Sequence, residues 1–250
     1  MSQALLRAEK LTKRFAEQAA LLALDLSVDS GEVVCLLGAN GAGKTTTINL
    51  FLGFLHPDEG KALVEGIEVA VDPIGARRRL AYLPESVALY PMLTGLENLT
   101  FFDSLGNESP GSQEQLRQIL TDVGLAPQVH DRRASTYSKG MRQKVGIAIA
   151  VARGARALLL DEPLSGLDPE AANGLGELIT RLRGEGCAVL MATHDIFRAK
   201  EVGDRIGIMA HGRLLDTLRP SHLDAREIEQ IYLSHLREAT AVASDSEAVS

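Results

Sequence analysis

Gly38-Ala-Asn-Gly-Ala-Gly-Lys-Thr45 constrains this chain more than any other stretch. It is a full match to the pattern GxxxxGK[ST], it follows the apolar run Val33 to Leu37, and a helix-like segment, Thr46 to Leu55, comes after it. A buried strand, a glycine-rich turn and a helix start aim several backbone N–H groups at one point, and the helix dipole adds partial positive charge there. Polyphosphate is the natural occupant of such a turn. Gly38, Ala39, Asn40, Gly41, Ala42, Gly43, Lys44, Thr45 and Thr46 are therefore the candidate nucleotide-binding residues. Lys44 is placed to reach the β- and γ-phosphates, and the Thr45 hydroxyl to help hold Mg²⁺. A plain strand–turn–helix with glycines for tight packing would need neither side chain.

The rest of the chain reads as α/β. Leu5 to Lys10 and Leu22 to Val28 alternate apolar and polar residues, as antiparallel strands do, and Gly60 to Val71 alternates again. Glu114 to Val123 and Lys139 to Val151 have helical periods, so a helical insert divides two strand-rich halves. Ala157 to Leu160 is a continuous apolar run, the signature of a buried parallel strand. A helix over Glu170 to Arg183 and a strand over Ala188 to Ala192 follow. Strands alternating with helices imply right-handed crossovers. Ser221-His-Leu-Asp224 reads as a capping box opening a C-terminal helix with Ile228, Ile231, Tyr232 and Leu236 on one face. Ala239 to Ser250 is small and polar without periodicity, which predicts a frayed tail.

A formal net charge of −7 argues against a nucleic-acid groove, because neutralising phosphates needs a basic surface. No apolar run reaches the length that spans a bilayer, and the start lacks the apolar core of a signal peptide. Cys35 and Cys187 lie in apolar runs and read as small buried hydrophobes, which suits a reducing compartment. The expectation is a cytoplasmic protein.

Leu158-Leu-Leu-Asp161-Glu162-Pro163 adds chemistry to the phosphate turn. Asp161, at the tip of an apolar strand, is where a carboxylate can hold Mg²⁺ beside Thr45. Glu162 is placed to orient and polarise a water facing the γ-phosphate. Taken alone, two acids after a strand are as readily a surface turn. Downstream of a phosphate loop they read as a catalytic pair.

Three further motifs carry a family resemblance. Tyr137-Ser-Lys-Gly-Met-Arg-Gln143 resembles the signature of ABC ATPases, usually LSGGQ; Ser165-Gly-Leu-Asp168 resembles their D-loop, and Ala192-Thr-His194-Asp195 their histidine switch. With the phosphate loop and the acidic strand end these occur in the family's order, and the resemblance covers about residues 4 to 235. It implies a P-loop NTPase with a RecA-like core, an N-terminal antiparallel β-subdomain and an inserted α-helical subdomain at about 86–155, with 236–250 as a tail.

The resemblance also implies a mechanism. Family members work as head-to-tail dimers with ATP between one subunit's phosphate loop and the other's signature. Ser138 and Gly140 would then reach across to the partner's γ-phosphate, His194 would bond the γ-phosphate beside Glu162 and position that carboxylate, and Asp168 would link the two sites. Phe15 matches the aromatic that stacks on adenine, although a single ring at a strand end is as readily core. The expected cofactors are ATP and Mg²⁺. The expected partners are a second ATPase subunit, taken as another copy of this chain, and an integral membrane permease that would hold it on the cytoplasmic face of the membrane.

Two motifs depart from the family pattern. Glu85 stands where Gln is usual, at a place that touches Mg²⁺ and lies by the permease groove; Glu keeps an oxygen ligand and adds a charge. Lys139 replaces the first signature Gly and Met141 its Gln, and from the sequence Lys139 could sit near the partner's phosphates or in solvent. Pro84-Glu85 and the Tyr-Ser-Lys-Gly-Met-Arg-Gln variant resemble the ABC-2 branch, whose members mostly power export. The alternative is a soluble ABC protein acting on ribosomes or nucleic acid. One cassette, no long heptad run and a negative charge weigh against it.

Overall fold

The computed structural model describes residues 4–16, 18–106 and 109–247. A hairpin of β1 (Ala4–Phe15) and β2 (Gln18–Asp29) leads into β3 (Val33–Leu37), the phosphate turn and α1 (Lys44–Phe51). Next come β4 (Glu59–Val64), β5 (Ile67–Glu68), α2 (Pro73–Arg77) and β6 (Leu80–Leu83). The stretch from β6 to the following strand carries α3 (Gly95–Gly106), α4 (Gln113–Asp122) and α5 (Lys139–Ala152). Then β7 (Ala157–Asp161), α6 (Pro169–Gly184), β8 (Ala188–Thr193), α7 (Ile196–Val202), β9 (Arg205–Ala210), β10 (Arg213–Leu218) and α8 (Ala225–Glu247) complete the order.

Two sheets result. The antiparallel one has the order β2-β1-β4-β5, and the larger one β10-β9-β3-β8-β7-β6. In the larger sheet β9, β3, β8, β7 and β6 run parallel, and β10 closes one edge antiparallel to β9. The apolar runs are continuous because both faces are covered: every residue of β3 and β8 is buried. Alternate side chains of β3 serve two cores. Val33, Cys35 and Leu37 pack with the helices, whereas Val34 and Leu36 pack with the antiparallel sheet and Phe51 of α1. Burial pushes the Cys35 thiol well above its ordinary range, and Cys187 up to about 12, so both are inert apolar groups.

The chain passes from β3 to α1 at the carboxyl end of a central strand, and β8 and β7 end on the same side. That common edge is where ligands bind in open parallel sheets. Among the described residues no helix is long and apolar enough to cross a membrane.

One expectation is corrected at the C-terminus. The capping box lies three residues later than Ser221 to Asp224: Asp224 N–H donates to Glu227 Oε2 at 2.6 Å and Glu227 N–H to Asp224 Oδ1 at 2.8 Å, while Ser221 sits in a 3₁₀ turn, Pro220–His222. The helix itself runs through Glu247. From Ala225 onward it contains neither Gly nor Pro, and alanines recur where apolar periodicity stops, so propensity carries it on. Residues 248–250 of the expected tail lie outside the described residues.

Candidate active site

β3 delivers the chain into the turn at Gly38, where space is already taken. A Cβ there would lie 2.5 Å from the Met209 carbonyl oxygen and 2.9 Å from Ala42 Cβ, both on rigid backbone. Gly38→Ala should therefore destabilise the fold by about 1–3 kcal/mol, the usual cost of overpacking, read as a lower urea midpoint. The turn ends on Gly43, at φ 104°, a conformation that L side chains rarely adopt. No side chain caps α1 at that position. The first N–H groups of the helix are thus left for a ligand, the geometry that binds phosphate.

Lys44 is buried and folds back on the turn, donating to the carbonyls of Gly38 at 2.5 Å and Ala39 at 3.1 Å. Burial lowers its pKa, and the charges of Glu162 and Asp161 partly restore it. The Thr45 hydroxyl donates to Asp161 Oδ2 at 3.1 Å. Burial raises the Asp161 pKa, the Thr45 bond and Lys44 oppose this, and the charges of Glu162 and Glu85 add to it.

Glu162 follows directly, at φ 48°, unusual for a residue with a side chain. Its N–H still donates to Ala192 O at 2.9 Å, which stitches the turn to β8. Its carboxylate is held from two adjacent residues at the end of β8: His194 Nδ1 lies 2.8 Å from Oε1, and the Thr193 hydroxyl donates to Oε2 at 3.3 Å. A carboxylate held at both oxygens is oriented in advance, as a base must be.

These groups face a cavity of about 720 Å³ lined by Ala39 to Thr46, Glu85, Asp161 and Glu162, with Phe15 at the tip of the first hairpin. Phe15 is 48% exposed, which favours a contact surface over core, and the Lys13 ammonium lies 5.7 Å from its ring centroid. Gln18, Ala19, Ala20 and His211 also line the cavity, and no sequence pattern marked them. The hairpin is brought there by Leu22 N–H donating to Gly212 O at 2.8 Å and Gly212 N–H to Ala42 O at 3.1 Å. Gly38 and His194 are not among the residues that line it; His194 is exposed and meets the cavity through its bond to Glu162.

Ser138 and Gly140 are not brought to this cavity. Ser138 caps α5, its hydroxyl accepting from Met141 N–H at 3.2 Å, and Asp168 caps α6, accepting from Ala171 N–H at 2.9 Å. Lys139 stands between Ser138 and Gly140, at the first position of α5. It bonds within its own chain, to Ser165 O at 2.7 Å and Glu85 Oε1 at 3.5 Å.

The sequence pattern that defines the ABC transporter family matches residues 21–165, more than half of the chain. The chain belongs to the ABC transporter family. Over 244 residues this cassette is 31% identical to the linearmycin resistance ATP-binding protein LnrL of Bacillus subtilis, covering 96% of this chain and 78% of that protein. It is likewise 31% identical to the lipopolysaccharide export system ATP-binding protein LptB of Haemophilus influenzae, covering 92% of this chain and 97% of that one. Among solved structures, the dimeric post-hydrolysis ATP-binding cassette MJ0796 bound to ADP and Pi superposes with a TM-score of 0.76 at 25% identity, covering 87% of this chain and all of that one. The fold is that of an ABC ATPase, a P-loop NTPase of the α/β class, and the cassette is the ATP-binding, ATP-hydrolysing kind of ABC subunit.

The donor set fits Mg²⁺. Thr45 and Asp161 offer hard oxygens at 3.1 Å from one another, in surroundings with excess negative charge. Among the described residues no group of three or more His, Cys, Asp or Glu could hold a metal alone. Magnesium bound by one or two protein oxygens together with nucleotide phosphates needs no such group.

Proposed function

We propose that this cassette is the ATP-hydrolysing subunit of an ABC exporter of the ABC-2 type, that two copies close on ATP, and that an integral membrane permease holds it on the cytoplasmic face of the membrane. The observation that carries the reading is the Glu162 carboxylate, held by His194 and Thr193 at the wall of the cavity that the phosphate turn builds. The ATPase domain is assigned to residues 4–235, with the helical insert at about 86–155.

In this reading Gly38 to Thr46 cradle the phosphates and Phe15 stacks on the base. Thr45 and Asp161, with Glu85 beside them, would hold Mg²⁺, which neutralises developing phosphate charge when bound. Glu162 accepts a proton from water as the water oxygen bonds to the γ-phosphorus and the bond to the β–γ bridging oxygen breaks, so that ADP leaves with that oxygen. His194, bonding a phosphate oxygen while also bonding the Glu162 carboxylate, would tie the base to the group it acts on. Ser138 and Gly140 lie outside their own chain's cavity, and the start of α5 would supply them to the γ-phosphate in the second copy. LnrL and LptB are named for resistance and for export, which favours outward transport.

Affinity capture of the tagged chain from its native membranes tests the assignment. The expected companion is an integral membrane protein that raises its ATPase rate. Recovery with ribosomes or nucleic acid instead would favour the soluble alternative and overturn the transport reading.

A further inference from the structure

Two of the positions at which the chain departs from the family motifs, Lys139 and Glu85, meet in space. Lys139 is the first residue of α5, between Ser138 and Gly140, and its ammonium reaches Ser165 O at 2.7 Å and Glu85 Oε1 at 3.5 Å. Gln143, one turn further along and wholly buried, donates to the Glu85 backbone carbonyl at 2.9 Å. The opening of α5 therefore grips the Glu85 loop through both backbone and side chain. It also grips a loop that starts at the candidate base, because Ser165 N–H donates to Glu162 O at 3.2 Å.

We propose that Lys139 is a positioning residue that ties the start of α5 to the loops bearing Glu85 and Ser165, and that Lys139 and Glu85 form a matched charge pair at the metal end of the nucleotide site. The proposal rests on the reading that this end holds Mg²⁺. The physical reason is charge balance. The cavity wall carries Glu85, Asp161 and Glu162 against Lys44, and the charge of Glu85 is one of those that push the Asp161 carboxyl up. A neutral residue at 139 would leave that added charge uncompensated, and a Gln at 85 would give Lys139 no charge to meet. Each departure makes sense in the presence of the other. The partners are 28% and 58% exposed, so solvent screens the pair and its effect is modest.

The test is a double-mutant cycle of Lys139→Met and Glu85→Gln. The probe is Mn²⁺, whose binding in the presence of a non-hydrolysable ATP analogue is read by electron paramagnetic resonance. Lys139→Met should tighten Mn²⁺ binding by about 1.5- to 5-fold, the span of an exposed ion pair, as Glu85 is released to the metal. In the Glu85→Gln background the same change should leave Mn²⁺ affinity unaltered, and Lys139→Arg should behave as the parent does. Equal effects of Lys139→Met in both backgrounds, or none in either, would overturn the pairing. Asp161→Asn separates the two levels. If it weakens Mn²⁺ binding while the cycle shows no coupling, the charge pair alone falls; if it leaves Mn²⁺ binding unchanged, the metal assignment falls and takes the pair with it.

Discussion

Glu162→Gln should lower kcat for ATP hydrolysis by about 10²- to 10⁴-fold, the usual worth of a positioned general base, with little change in ATP affinity. The substitution keeps the shape, and the amide can still meet both neighbours, its oxygen accepting from one of Thr193 and His194 while its NH₂ faces the other. It removes the group that takes a proton from water. Lys44 bonds to carbonyls of its own turn rather than to Glu162, so binding has no reason to suffer. Phosphate release under saturating ATP, with nucleotide binding measured separately, reads both halves. Hydrolysis at the parent rate would remove Glu162 from the mechanism.

Lys44→Ala should act on the opposite term, weakening ATP binding by about 10- to 100-fold. A hydrogen bond to a charged group is worth about 1.5–3 kcal/mol, and each 1.4 kcal/mol is a factor of ten in Kd. The ammonium is already inside the turn, where burial disfavours its charge and two carbonyls together with Asp161 and Glu162 support it. Phosphate oxygens would replace those carbonyls as its partners. Titration with a fluorescent ATP analogue measures the loss, and an unchanged Kd would mean that the turn is structural.

The parts of the site that rest on local chemistry were legible in the sequence. Gly38 to Thr45 needs its glycines for one tight turn, and Asp161 and Glu162 are marked by an apolar strand that stops at two acids. The parts that rest on long-range contact were not. Lys139 finds Ser165 and Glu85, which lie 26 and 54 positions away along the chain, and nothing in its own neighbourhood signals either. His211 reaches the cavity only because Gly212 bonds to the first hairpin and to the phosphate turn. Short elements escaped as well. α2 has five residues and β6 four, too few to show a period. α3 lacks a strong apolar stripe, since Phe101 and Leu105 stay exposed.

The central claim is that each cassette holds half of a site. Light scattering of the Glu162→Gln protein with and without ATP tests it most directly. ATP should convert a monomer into a stable dimer, and Ser138→Arg, placed at the cap of α5, should prevent that conversion while leaving ATP binding to the phosphate turn intact. A protein that binds ATP and stays monomeric, or one that dimerises equally well with Arg at position 138, would contradict it.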